Sequence, residues 1–82
     1  MTTIKQTLKE RGFVHGDFTE NARISQDLKR LIGIHNAFLN SVQKEAMDMI
    51  VHKIARILAG NPNHKDHWHD IAGYATLVEE RL

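Results

Sequence analysis

Hydrophobic positions recur at intervals of three and four residues along most of the chain, a pattern that predicts helices. The longest run extends over residues 41–59 and is predicted to be the central helix, with Asn40 and either Gln43 or Ser41 able to cap its start. Its apolar positions are Met47, Ile50, Val51, Ile54, Ile57 and Leu58. We expect Gly60 and Pro62 to end it, because glycine suits the left-handed residue after a helix and proline cannot continue one.

A second helix is predicted over residues 18–32, upstream of the central one. Asp17 followed by Glu20 has the spacing of a capping box, and Gly33 is a plausible stop. Four apolar residues form a stripe along this helix: Ile24, Leu28, Leu31 and Ile32. A shorter helix is predicted over residues 3–11, followed by a breaker segment that holds two glycines.

The last segment predicts a helix that folds back on the central one. Asn63 is a ready N-cap, and small residues at Gly73 and Ala75 would let another helix approach closely. Its apolar face comprises Trp68, Ile71, Ala72, Ala75, Val78 and Leu82. The sequence therefore predicts one all-α domain over residues 1–82, a small helical bundle with an N-terminal arm (1–16) and a C-terminal antiparallel helical hairpin (41–82).

Size and charge narrow the classes of partner. A chain of 82 residues buries a modest core, so we expect it to form a homo-oligomer. The formal charge of +1 gives no basic footprint for nucleic acid and no polybasic membrane anchor. Cysteine is absent, which excludes disulfides and thiolate metal sites. No apolar run has the length of a signal peptide or a membrane span, so we expect a soluble, intracellular protein.

Two acidic pairs are the strongest candidates for chemistry. Glu45 and Asp48 are three residues apart on the central helix, and Asp66 and Asp70 are four apart on the last. Residues at these spacings share a helix face, so two neighbouring helices would present four carboxylates to a magnesium ion, or to manganese in its place. The alternative for the first pair is a solvated helix face. For Asp66 it is a first-turn carboxylate favoured by the helix dipole.

Basic residues and histidines add two further hypotheses. Lys53 and Arg56 follow Asp48 by one to two turns and would neutralise phosphates, or would simply flank the polar side of the helix. His64 and His67 have a spacing that would bind zinc if His52 supplied a third ligand from the other helix. In the alternative, the first-turn histidines, including His69, are exposed and Trp68 anchors the core.

The run from Gln43 to Leu82, with the upstream element His15-Gly16-Asp17-Phe18, resembles a group of small phage and prophage proteins. The strings KIARI and DIAGYA are its most specific pieces. About half of the chain is similar, more distantly, to the all-α nucleotide pyrophosphatases of the MazG type. In those enzymes, a Glu-x-x-Glu helix and a later Glu-x-x-Asp helix bind magnesium, which holds the phosphates of a nucleoside triphosphate.

This resemblance implies roles for the acidic pairs. Glu45 and Asp48 match the first pair and would be catalytic, while Asp66 and Asp70 match the second with a spacing of four instead of three. The implied reaction is magnesium-dependent hydrolysis that releases pyrophosphate and a nucleoside monophosphate. The alternative is a non-catalytic phage protein that binds a nucleotide or a host protein. Either would act in the cytoplasm of an infected or lysogenic bacterial host.

Overall fold

The computed structural model describes residues 3–82, which form four α-helices and no strand, as the all-α prediction required. The helices are α1 (Ile4–His15), α2 (Phe18–Ile34), α3 (Ser41–Ala59) and α4 (Lys65–Glu79). Met1 and Thr2, the start of the predicted N-terminal arm, lie outside the described residues. The central helix α3 packs against the other three, and α4 packs along α3 and meets the end of α1 through the side chains of His67 and His15. The predicted hairpin of the last two helices is therefore present.

The starts of α2 and α3 are capped by side chains that the sequence predicts for this role. Asn40 Oδ1 accepts a hydrogen bond from the Gln43 backbone N–H at 2.8 Å, and Gln43 Oε1 accepts from the Asn40 N–H at 3.0 Å. This reciprocal pair is the predicted capping box of α3. At α2, the Asp17 carboxylate accepts from the Glu20 N–H at 3.1 Å, but the Glu20 side chain bonds Arg23 instead. The α2 cap is thus half of the predicted box.

Helix ends depart from the predictions where packing intervenes. α1 continues through Gly12 to His15, because the end of the helix packs against α3 and α4. α2 passes Gly33 and ends one residue later. The N-cap of α4 is His64, not Asn63, whose N–H donates to Asn61 Oδ1 at 2.9 Å within the preceding turn. The glycines and the asparagine that predicted these boundaries are present, but α1 and α2 continue past their glycines and α4 begins one residue later than the predicted cap implies.

Gly16 and Gly60 mark a backbone crossing between the α1–α2 turn and the end of α3. Gly16 has φ +84°, and a Cβ there would lie 2.2 Å from the carbonyl oxygen of Ala59. A Cβ on Gly60 would lie 2.5 Å from the Gly16 nitrogen. The predicted left-handed conformation at Gly60 is wrong, since its φ is −123°. Gly60 is required for close approach instead, and the Asn61 N–H donates to the Val14 carbonyl at 3.0 Å beside it.

The fully buried part of the molecule is small. Its members are Ala46, Val51 and Ala55 of α3, together with Ser25 of α2 and His67 of α4. Trp68, the alternative core anchor, is 56% exposed and donates its indole N–H to the Pro62 carbonyl at 2.8 Å. His67, at 1% exposure, is the α4 side chain that the core contains.

Much apolar surface stays in contact with solvent. The chain exposes 6364 Å², whereas a compact monomer of this mass exposes about 5,000 Å². Its radius of gyration is 14.3 Å, against about 12 Å for a compact domain of this length. No helix within residues 3–82 combines the length and the hydrophobicity needed to cross a membrane.

Candidate functional site

The first three helices enclose a cavity of about 690 Å³, which we call the cationic cavity. Its polar lining includes a pair from each helix, namely Arg11 and His15 of α1, Asn21 and Ser25 of α2, and His52 and Arg56 of α3, together with Asp17 and Gln26. The two members of each pair are four residues apart in the sequence, so they lie on the same face of their helix. Ala22 and Ala55 leave the space open. Two guanidinium groups from different helices thus face a common volume, and the lining includes one carboxylate, Asp17.

The imidazoles of the cavity are held neutral. Burial, together with the positive charges of Arg56, the neighbouring histidines and Lys53, lowers the pKa of His15 to about 4. Burial also lowers the pKa of His52, helped by the Lys29 ammonium, whose Nζ lies 3.1 Å from His52 Nε2. The permanent charges that line the cavity are therefore the two guanidinium groups and Asp17, and His52 keeps an N–H available for an acceptor.

Two polar atoms of α2 at the cavity have no hydrogen-bond partner among residues 3–82. They are Ser25 Oγ and Asn21 Oδ1, and Ser25 is only 6% exposed. The Asn21 amide nitrogen is used, because it donates to the backbone carbonyls of His15 and Asp17. A buried hydroxyl or carbonyl without a partner costs about 1–3 kcal/mol, so such groups call for an explanation. A ligand that supplied a donor and an acceptor would remove this cost.

The first acidic pair continues the same face of α3. Asp48 is half-buried and precedes His52 by one turn. Its negative charge raises the pKa of His52, but burial and the charges of Lys29 and Arg56 lower that pKa by more. Glu45 is exposed, a further turn away. At 100° per residue, Glu45 lies within about 20° of His52 and Arg56 around the helix axis, and Asp48 lies about 40° from His52 and about 80° from Arg56. The pair therefore lies on α3 one to two turns before the cavity-lining His52, outside the lining itself.

The second acidic pair lies elsewhere. Asp70 Oδ2 is 2.9 Å from Lys53 Nζ, and this hydrogen bond lowers the pKa of Asp70. Asp66 is exposed, with its carboxylate 3.9 Å from His64 Nε2. Lys53, predicted to contact phosphate, is thus engaged across the α3–α4 hairpin, whereas Arg56, predicted with it, lines the cavity.

The Lys53–Asp70 contact fixes the register of the hairpin and separates the two pairs. Asp48 and Glu45 precede Lys53 by five and eight residues, or about 7.5 and 12 Å along the helix axis. Asp66 precedes Asp70 by four residues, or about 6 Å along α4. Because α4 runs antiparallel to α3, Asp66 lies beyond Lys53 on the side away from Asp48 and Glu45. Within residues 3–82, no three histidine, aspartate or glutamate side chains are arranged to hold a metal ion. This protomer fits magnesium only as the Glu45–Asp48 pair, with the remaining ligands coming from elsewhere.

A cluster of three imidazoles lies where α1 meets α4, and its first member was missed by sequence reasoning. The ring centroid of His67 is 5.0 Å from that of His15 and 4.6 Å from that of His64. His67 Nε2 is 3.4 Å from both His15 Nδ1 and the Val14 carbonyl. His52, the predicted third zinc ligand, contacts Lys29 instead. No spacing signal relates His15 to His67, since they are 52 residues apart and α1 was predicted to end before His15.

No curated protein and no solved structure matches the chain. A family model described as "Domain of unknown function (DUF6378)" matches residues 1–82. The chain therefore belongs to the DUF6378 family.

Proposed function

We propose that the protein binds a nucleotide through its phosphate groups in the cationic cavity. The observation that carries this proposal is the convergence of Arg11 and Arg56 on a cavity in which the buried Ser25 hydroxyl has no partner. Guanidinium groups recognise phosphate oxygens in a bidentate geometry and stay charged at all physiological pH values. The volume of about 690 Å³ lies within the range typical of small-molecule sites.

The lining favours a polyphosphate over an isolated anion. Arg11 and Arg56 approach from separate helices, so two phosphate groups would each find a cation. Neutral His52 adds an N–H donor, and the ammonium of Lys29 next to it supplies further positive potential. Asn21 Oδ1 and Ser25 Oγ lie on one face of α2 and would bond the polar edge of a base or sugar, while Leu8 and Phe18 offer apolar contact.

Glu45 and Asp48, which precede the cavity-lining His52 on α3, would hold a magnesium or manganese ion at that end of the cavity. Magnesium is commonly bound by one or two carboxylates plus substrate phosphates, so a pair of protein ligands is sufficient when a nucleotide completes the shell. A bound ion would polarise a phosphoryl oxygen. Hydrolysis of a nucleoside triphosphate to the monophosphate and pyrophosphate is the extension of this proposal, with Glu45 and Asp48 as the residues that carry it.

Binding is tested first, by thermal unfolding against nucleoside mono-, di- and triphosphates and inorganic triphosphate, each with magnesium and with chelator. We expect di- and triphosphates to raise the melting temperature. A ligand at 100 times its Kd adds about 2.7 kcal/mol to the free energy of unfolding. Arg56→Gln should lose this effect, and Arg30→Gln, an exposed residue paired with Asp27, should keep it. A flat response of the folded wild type contradicts the proposal.

Turnover is tested separately, by pyrophosphate release from the nucleotide that stabilises best. Release by the wild type that is lost in Glu45→Gln and Asp48→Asn, with binding of the metal-free nucleotide retained, would support the hydrolytic extension. Binding without release would leave nucleotide binding as the function and remove hydrolysis from the proposal.

A further inference from the structure

Helix α1 is fixed to the rest of the molecule at its C-terminal end. There, Gly16 crosses Gly60 at backbone contact, the Asn61 N–H donates to Val14, and His15 contacts His67. The N-terminal half has no such support: Ile4 is 78% exposed and Leu8 is 62% exposed. α1 is therefore an arm that leaves the body of the protomer as it runs toward its N-terminus.

Two exposed apolar residues of this arm, Ile4 and Leu8, lie on its inner face, whereas Phe13, which is 77% exposed, lies on the opposite side of the helix. Ile4 and Leu8 share the helical spacing of Arg11 and His15, which line the cationic cavity. Phe18, at the start of α2, lines the same cavity together with Leu8 and is also exposed. We call Ile4, Leu8 and Phe18 the α1 rim. A helix normally turns such a stripe toward a core, yet no part of the described protomer covers it.

The amount of exposed surface fits a second copy of the chain. The protomer exposes about 1,300 Å² more than a compact monomer of its mass, and a standard interface takes about 800 Å² from each partner. Within residues 3–82, the buried apolar core consists of two alanines and one valine, which is little for a chain of this length. An identical chain is the partner present wherever the protein folds, and a formal charge of +1 opposes its approach only weakly.

We propose that the α1 rim is the interface of a homodimer. In a twofold arrangement, the same rim on each protomer packs on the other, so that one surface serves both sides and the assembly is closed. Because Leu8 and Phe18 also line the cationic cavity, the second copy lies at the mouth of that cavity in each protomer. Since Leu8 and Phe18 line the cavity as well, the interface is tested on the ligand-free chain.

Sedimentation equilibrium of the purified chain tests the proposal. The wild type should be a dimer at micromolar concentration, and Leu8→Glu should weaken the dimer at least 100-fold. Phe38→Glu is the matched control, because Phe38 is 99% exposed in the connection between α2 and α3 and undergoes the same change of chemistry. A monomeric wild type, or a Leu8→Glu variant that stays dimeric, overturns the proposal.

A second measurement decides the question if Leu8→Glu fails to fold. The chain has no cysteine, so Ile4→Cys and Phe38→Cys each introduce a single thiol. A short bismaleimide should link Ile4→Cys into a covalent dimer in high yield and leave Phe38→Cys largely unlinked. Equal yields, or a higher yield for Phe38→Cys, would place the contact elsewhere and overturn the assignment.

Discussion

Two neighbouring faces of α3 carry positively charged side chains that differ in whether a carboxylate neutralises them. On the face toward α4, the Lys53 side chain is 13% exposed and its ammonium is neutralised by Asp70 at 2.9 Å. On the face toward α1 and α2, neither Arg11 nor Arg56 has a carboxylate within 4 Å among the described residues. A neutralised cation contributes to the fold and leaves little potential for a ligand. Unpaired guanidinium groups around a cavity are available to an anion, and this contrast locates the candidate site.

The largest expected effect concerns the backbone crossing of Gly16 and Gly60 at the end of α3. Gly16→Ala should lower the free energy of unfolding by about 3 kcal/mol or more, because it adds a Cβ at positive φ and against the Ala59 backbone. Gly33→Ala is the control: its Cβ would meet no atom within 4 Å, and alanine in a helix gains about 0.5–1 kcal/mol over glycine. Urea unfolding measures both. Equal stability of Gly16→Ala and the wild type would refute the crossing.

The next prediction separates the two faces directly. Arg56→Gln should abolish the stabilisation by nucleotide, about 2.7 kcal/mol at 100 times Kd, and change the stability of the free protein little. Lys53→Gln should lower the stability of the free protein, since it leaves Asp70 without its partner, and keep the response to nucleotide. Thermal unfolding with and without nucleotide gives both values. If the two variants exchanged these behaviours, Lys53 would be the phosphate ligand.

Acid should destabilise the protein through the histidine cluster. The pKa of His15 is lowered from 6.5 to about 4 in the folded protein. Between pH 4 and pH 6.5, His15 is therefore protonated in the unfolded chain and neutral in the folded one. Stability is therefore full above pH 6.5 and falls as pH decreases toward 4, by at most about 1.4 kcal/mol per pH unit for this group. His15→Gln should flatten the slope in urea titrations between pH 7 and 4.5. An unchanged slope would assign the acid sensitivity to other groups.

The smallest expected effect distinguishes the two acidic pairs. Asp48→Asn should remove the magnesium dependence of nucleotide binding, whereas Asp70→Asn should retain it, because Asp70 bonds Lys53 and lies at another level of the hairpin. Titration calorimetry with and without magnesium measures the difference. Loss of magnesium dependence in both variants would favour the four-carboxylate site that the sequence predicts.

Periodicity and capping chemistry were sufficient to predict α2, α3 and the hairpin. The capping box at Asn40 and the stop after Ala59 are local, since their partners are within a few residues in the sequence. The same local rules misplaced the end of α1 and the cap of α4, where His15 packs on His67 and Asn61 organises the turn. The wrong conformation at Gly60 has a similar origin, because the constraint on it comes from Gly16.

The candidate site was only partly legible in the sequence. Arg56, Glu45 and Asp48 were predicted from the polar face of α3, a property of one helix. Four further lining residues carry no motif, and they join the cavity because α1 and α2 pack against α3 and against each other: Arg11, His15, Asn21 and Ser25. The pairing of Lys53 with Asp70 likewise depends on the register between two helices, which spacing within each helix does not specify.

The sequence by itself therefore determined the helices, most of their boundaries and the charged face of α3, because hydrogen bonds and side-chain periodicity act over one to two turns. Only the tertiary structure decided which charges are neutralised and which polar atoms are left without partners. It also decided which apolar stripe remains exposed on α1. These properties depend on residues distant in sequence, such as Gly16 and Gly60 or Lys53 and Asp70, which only chain packing brings into contact.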